Sequence, residues 1–126
     1  MYRYKIIAQK WVNGRYKNFA YSNTAHMVAG DVSGNFTNAK YINVNAKSLT
    51  LTKGQRFVIK TNITKVYNDK SLLNWSHGPK LSYMSSNPEV AAVSSNGVIV
   101  AKGKGTCKVY AYAANGIWKG ITVTVK

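Results

Sequence analysis

Acidic side chains are nearly missing from this chain: 3 Asp and Glu stand against 18 Lys and Arg in 126 residues. Hydrolysis by paired carboxylates needs two acids a few ångström apart, and nothing in the sequence brings Asp31, Asp69 and Glu89 together. A calcium site wants several oxygen ligands, commonly carboxylates, and three scattered acids supply few. Cysteine is reduced to Cys107 alone, which excludes an internal disulfide. Cys107 alternates with Val109 and Ala111, so it reads as a small inward hydrophobe. A nucleophilic role would need a base beside it, and His26 and His77 lie far away in sequence without a supporting motif. No metal-spaced His or Cys cluster, phosphate loop or nucleophile elbow appears. No catalytic, cofactor or metal site is therefore expected. No apolar run approaches the ~20 residues that cross a bilayer. Met1-Tyr2-Arg3-Tyr4 leads into alternation rather than a signal peptide, so any export signal is expected outside this chain.

What is present is a hydrophobic fraction of 45%, enough for a core. The length suits one domain, or one small domain plus a fragment. The basic excess is dispersed: residues 1–40 carry six cations and Asp31, and residues 41–126 carry twelve with Asp69 and Glu89, net +5 and +10. That balance favours polyanions such as anionic cell-wall polymer, acidic glycan, nucleic acid or lipid headgroups. The alternative is that lysine solvates sheet faces and discourages edge-to-edge association.

The periodicity is two almost throughout, which predicts an all-β chain without helices. Leu49 and Leu51 alternate with Ser and Thr before a Lys53-Gly54 turn. Phe57, Ile59, Thr61 and Ile63 point one way, and Val58, Lys60, Asn62 and Thr64 the other. Ile99 with Ala101 makes a short inward pair. Cys107, Val109, Ala111 and Ala113 make a longer one, and Ile121, Val123 and Val125 close the chain. Short strands between turn residues indicate an antiparallel sandwich or barrel.

Asn-Gly occurs at 13–14, 96–97 and 115–116, and this dipeptide is a strong hairpin signal. A two-residue loop at 115–116 sets Val109 opposite Thr122 and mixes apolar with polar residues on one face. A three-residue loop, Ala114-Asn115-Gly116, pairs Val109 with Ile121 and Cys107 with Val123. The second register buries one clean face and is the one expected. It places Tyr112 opposite Trp118, and Tyr110 opposite Gly120, on the outer side. Residues 30–40 have the composition of a linker, and residues 67–82 that of a long irregular connection, with Leu72, Leu73 and Trp75 folding back onto the sandwich.

The span 41–126 resembles a bacterial immunoglobulin-like domain of group 2. KSLTLTKGQRFVIKTNI is similar to that family's opening strands, LSYMSSNPEVAAVSSNGVIVAKGKGTCKVYAYA to its central signature, and NGIWKGITVTV to its closing hairpin. Residues 67–82 are longer and more aromatic than the family's usual connection. Residues 1–29, through YRYKIIAQKWVNGRYKNFAYSNTAHMV, resemble the last two strands of a fibronectin type III domain. There Tyr2, Tyr4, Ile6 and Ala8 fall on one strand and residues 22–28 on the other. The fold class implied is an immunoglobulin-like antiparallel β-sandwich with an N-terminal β-hairpin extension. The chain then begins in mid-domain, and its hairpin is expected to dock on the sandwich, pair with a second chain or be mobile.

Aromatic residues are the better binding candidates. Tyr110, Tyr112 and Trp118, with Lys108 and Lys119, suit stacking on sugar rings or bases, or simply stabilise the hairpin as a cross-strand pair. Trp75 beside His77 is a second candidate, or a loop anchor. The resemblance implies a non-catalytic spacer and adhesion module of a multidomain bacterial protein, extracellular or at the cell surface. Its expected partners are an anionic cell-wall polymer or glycan and neighbouring domains of the same polypeptide; nucleic acid is a weaker expectation. The alternative is a carbohydrate-binding module attached to a surface glycoside hydrolase or other surface enzyme.

Overall fold

The computed structural model describes residues 2–21, 25–27, 34–72 and 80–126, and among these every regular element is a strand. Four strands precede the sandwich: β1 (Tyr2–Tyr4), β2 (Ile7–Val12), β3 (Arg15–Tyr21) and β4 (Ala25–Met27). β1 pairs with β4 and β2 with β3, both antiparallel, as two separate two-stranded ladders, and β2 and β3 form a ribbon around Asn13-Gly14. Both turn residues have positive φ, 51° and 80°, as two-residue loops between right-twisted strands require. The returning strand thus starts at Arg15, earlier than the resemblance placed it; residues 22–24 and 28 lie outside the described residues. Docking of the ribbon through its tip is not observed, since Trp11 and Tyr16 are both more than half exposed.

The sandwich follows as β5 (Phe36–Thr37), β6 (Ala39–Val44), β7 (Ser48–Leu51), β8 (Arg56–Val58), β9 (Thr61–Lys65), β10 (Ser71–Leu72), β11 (Leu81–Ser85), β12 (Ala91–Val93), β13 (Val98–Ala101), β14 (Gly105–Ala113) and β15 (Trp118–Val125). One sheet runs β11-β14-β15-β7 and a second β12-β13-β8, with β6-β9 and β5-β10 as separate ladders. The antiparallel rule has two exceptions, because β7 lies parallel to β15 and β10 parallel to β5. Inner residues of β8, β12 and β13 meet those of β7, β14 and β15 in one core. Ile99, Val109, Ile121, Val123 and Val125 are its largest fully buried side chains, each contributing roughly 1.5–3 kcal/mol by burial.

The run 57–64 keeps its parity but not one ladder. β8 bonds to β13, β9 bonds to β6, and Ile59-Lys60 separates them. Asn45 closes the gap with its side chain: Nδ2 donates to the Val58 carbonyl at 3.1 Å, and Oδ1 accepts from the Lys60 N–H at 2.9 Å. The linker reading is corrected within residues 36–40, where β5 ends and β6 begins on either side of Asn38, with Thr37 and Ala39 buried. Small polar residues serve a linker and a tightly packed strand equally, so composition did not separate the two. Thr37 Oγ1 accepts from the Tyr67 N–H at 3.1 Å, and Ala39 joins Ile42, Ala111 and Ala113 in a second core cluster. Leu72 packs against that cluster, as expected of the long connection; Leu73, Trp75, His77 and Pro79 lie outside the described residues.

The closing hairpin adopts the three-residue register. Ala113 N–H donates to the Ile117 carbonyl at 2.8 Å around the loop 114–116, and Gly116 has φ 87°. Val109 opposes Ile121 and Cys107 opposes Val123.

Candidate functional site: the outer face of the closing hairpin

Strand parity decides which side chains this face presents. On β14, Cys107, Val109, Ala111 and Ala113 turn inward and are buried, leaving Thr106, Lys108, Tyr110 and Tyr112 outward. On β15, Ile121, Val123 and Val125 turn inward, so Trp118, Gly120, Thr122 and Thr124 face out. Tyr112 stands directly opposite Trp118, and Tyr110 opposite Gly120. The ring contact is nonetheless diagonal: Tyr110 and Trp118 meet edge to face, centroids 5.4 Å apart at 81°. The two rings close over Gly120, where an added Cβ would make ordinary van der Waals contact with Tyr110 Cε1 at 3.4 Å and Trp118 Cζ3 at 3.5 Å. Trp118 stays 60% exposed, so its pairing leaves most of the indole available.

Lys108 belongs to this face, opposite Thr122 and exposed. Its backbone is anchored to the neighbouring corner: its N–H donates to Ser86 Oγ at 2.9 Å, and its carbonyl accepts from the Ser86 N–H at 2.8 Å. Lys119 does not belong to it. It opposes Ala111, whose side chain is buried in the interior, so its own Cβ leaves the sheet on the side away from Trp118. Adjacent residues of a strand cannot share a face. Trp75, the remaining candidate, lies outside the described residues.

Met84 was missed. It sits on β11 directly opposite Tyr110 and is 53% exposed, extending the platform by one strand. Its own alternation signals a strand; only the pairing of β11 with β14 puts it beside the rings. Toward the other end the face turns polar, with Thr106 and Thr124 hydroxyls 3.4 Å apart.

Cys107 is buried, with Ser85 Oγ 3.9 Å from its sulfur. Glu89 is an exposed turn residue whose N–H donates to Asn87 Oδ1 at 3.1 Å. Asp69 is exposed ahead of β10, and Asp31 lies outside the described residues. Among the described residues no three His, Cys, Asp or Glu side chains gather as a metal site. A half-open cleft lined by Thr37, Leu72, Lys80 and Asn115 among others has room for about one water molecule, far less than a ligand pocket offers. The closing-hairpin face can stack on an apolar ring face and attract anions.

Residues 66–115 match the family described as the intimin immunoglobulin-like domain. Among solved structures, domains 4 and 5 of the S-layer protein SbsC are similar at 16% identity and TM-score 0.54, over 71% of this chain and 53% of that one. An EHEC O157:H7 intimin mutant is similar at 15% identity and TM-score 0.45, over 66% of this chain and 42% of that one. A C-terminal 282-residue intimin fragment, in complex with the intimin-binding domain of the translocated intimin receptor, is similar at 17% identity and TM-score 0.45. That match covers 72% of this chain and 30% of the fragment. The chain thus spans about half the length of the S-layer structure and less of the intimin ones. No match was found among curated proteins.

Proposed function

Residues 66–115 match the intimin immunoglobulin-like domain family, and from that match we propose that the chain is a non-catalytic immunoglobulin-like module of a bacterial cell-surface or secreted protein. It serves as a spacer and adhesion unit whose basic exterior engages anionic polymers, wall polymers or acidic glycans in particular. The observation that carries this reading is how the residues are divided. The core is built almost wholly of apolar side chains, and among the described residues only Lys70 of the lysines and arginines is buried, so most of a net charge of +15 is left to the surface. A surface so charged raises the local concentration of polyanions and is screened by salt. The test is binding to heparin: affinity that falls steeply with salt, and is unchanged in Trp118→Ala, is the expected result. Absence of heparin binding at low salt refutes the polyanion part and leaves a spacer.

A second reading is favoured by one feature, the exposure of Trp118 and Met84 on the outer face. It makes the module a carbohydrate-binding unit attached to a surface glycoside hydrolase or other surface enzyme, with Tyr110, Tyr112 and Trp118 as the stacking platform. Binding to a neutral polysaccharide that survives salt and is lost in Trp118→Ala supports it over the first.

A further inference from the structure

Residues 1–30 hold five cationic side chains and no Asp or Glu. Within them the β2–β3 ribbon sorts its residues by face. Gln9 opposes Asn18, Lys10 opposes Lys17, Trp11 opposes Tyr16 and Val12 opposes Arg15. Because side chains alternate across a strand, Gln9, Trp11, Tyr16 and Asn18 share one side, and Lys10, Val12, Arg15 and Lys17 the other. The first side is uncharged and internally bonded. Gln9 Nε2 donates to Asn18 Oδ1 at 2.8 Å, and the Trp11 and Tyr16 rings meet edge to face at 4.9 Å. The second side sets two ammonium groups directly opposite each other, with Arg15 two cross-strand pairs nearer the turn on the same face, all three exposed.

Like charges directly opposed weaken an antiparallel pair, and a two-stranded ribbon has little stability to spare. Placing Lys10 against Lys17 is therefore unfavourable for the free ribbon, and no acid within residues 1–30 relieves it. An external anion does. Opposed Cβ atoms are about 4.5–5.5 Å apart, a spacing from which two ammonium groups reach one sulfate or carboxylate together. We propose that Lys10, Arg15 and Lys17, on the basic face of the ribbon, form the contact site for an anionic polysaccharide. The inference rests on the polyanion reading above and gives it a location. Polysaccharide is favoured over single-stranded nucleic acid by the division of faces. Base stacking and phosphate contact work together in such binders, whereas Trp11 and Tyr16 lie opposite the three cations.

The experiment titrates heparin with the full chain in three forms: unaltered, K10Q/R15Q/K17Q, and the charge-matched sandwich variant K47Q/K102Q/K104Q. The ribbon variant is expected to bind roughly tenfold or more weakly, with the slope of log affinity against log salt reduced by about one per cation removed. The sandwich variant is expected to stay within about twofold of the unaltered chain. Amide protection in residues 7–18 is expected to rise when heparin is added to the unaltered chain. Equal weakening of both variants overturns the site while leaving the polyanion reading standing. No heparin binding by the unaltered chain overturns both. Tighter binding of an oligonucleotide at matched salt, lost in the ribbon variant, overturns the choice of polysaccharide.

Discussion

Gly97 answers two demands at once. Its φ of 79° belongs to the left-handed region, and a Cβ would stand 2.8 Å from Tyr83 Cζ. Gly116 answers only the first, with φ 87° and nothing within 4 Å of an added Cβ. Gly116→Ala should therefore cost only the conformational penalty, roughly 1–2 kcal/mol. Gly97→Ala should cost clearly more, because the Tyr83 ring must also move; urea denaturation of the two variants measures the difference. Asn45 stands where a ladder is interrupted, supplying both a donor and an acceptor. Asn45→Ala should destabilise by about 1–2 kcal/mol, two modest hydrogen bonds partly replaced by water, again read by urea denaturation. Ile99, wholly buried between the layers, is the control for packing: Ile99→Ala should cost about 2–5 kcal/mol.

Elements differ in how far their neighbours are written beside them. The β14–β15 register was legible because only one loop length keeps Cys107, Val109 and Ala111 on the same side as Ile121 and Val123, so parity selects it. The break between β8 and β9 was not, since the side chain that bridges it is 13 and 15 residues from the groups it bonds. β5 and the start of β6 were hidden for a related reason. Thr37 and Ala39 are buried by long-range contacts with Tyr67 and with the β14–β15 turn, where Asn115 Nδ2 donates to the Ala39 carbonyl at 3.0 Å. The candidate face was legible in its rings, Tyr110, Tyr112 and Trp118, and its misplaced lysine was legible too. Trp118 and Lys119 are consecutive, so one strand cannot offer both to one ligand. Met84 was out of reach until β11 was paired. At this scale the ribbon and the sandwich should also separate by protection. Hydrogen exchange at β2 and β3 is expected to be faster than at β14 and β15, as a two-stranded ribbon opens more readily than strands whose inner residues are buried. Equal protection of the two would mean that the ribbon is packed against another surface in solution.

On the scale of the molecule, 18 cations and 3 acids accompany a core that is almost wholly apolar among the described residues. The same arrangement explains why the architecture was readable and the ligand was not. Alternation specifies which side chains are buried, whereas lysines scattered over many turns and faces specify only the sign of a partner. The outer aromatic face adds a rival reading with a different dependence on salt, and that difference is measurable. The deciding experiment is an equilibrium titration of the full chain with labelled heparin across a salt series, alongside Trp118→Ala. The expected result is a log affinity that falls linearly with log salt concentration, with a superimposable line for Trp118→Ala. A flat salt dependence, together with loss of binding in Trp118→Ala, would instead assign recognition to the aromatic platform and refute the electrostatic account.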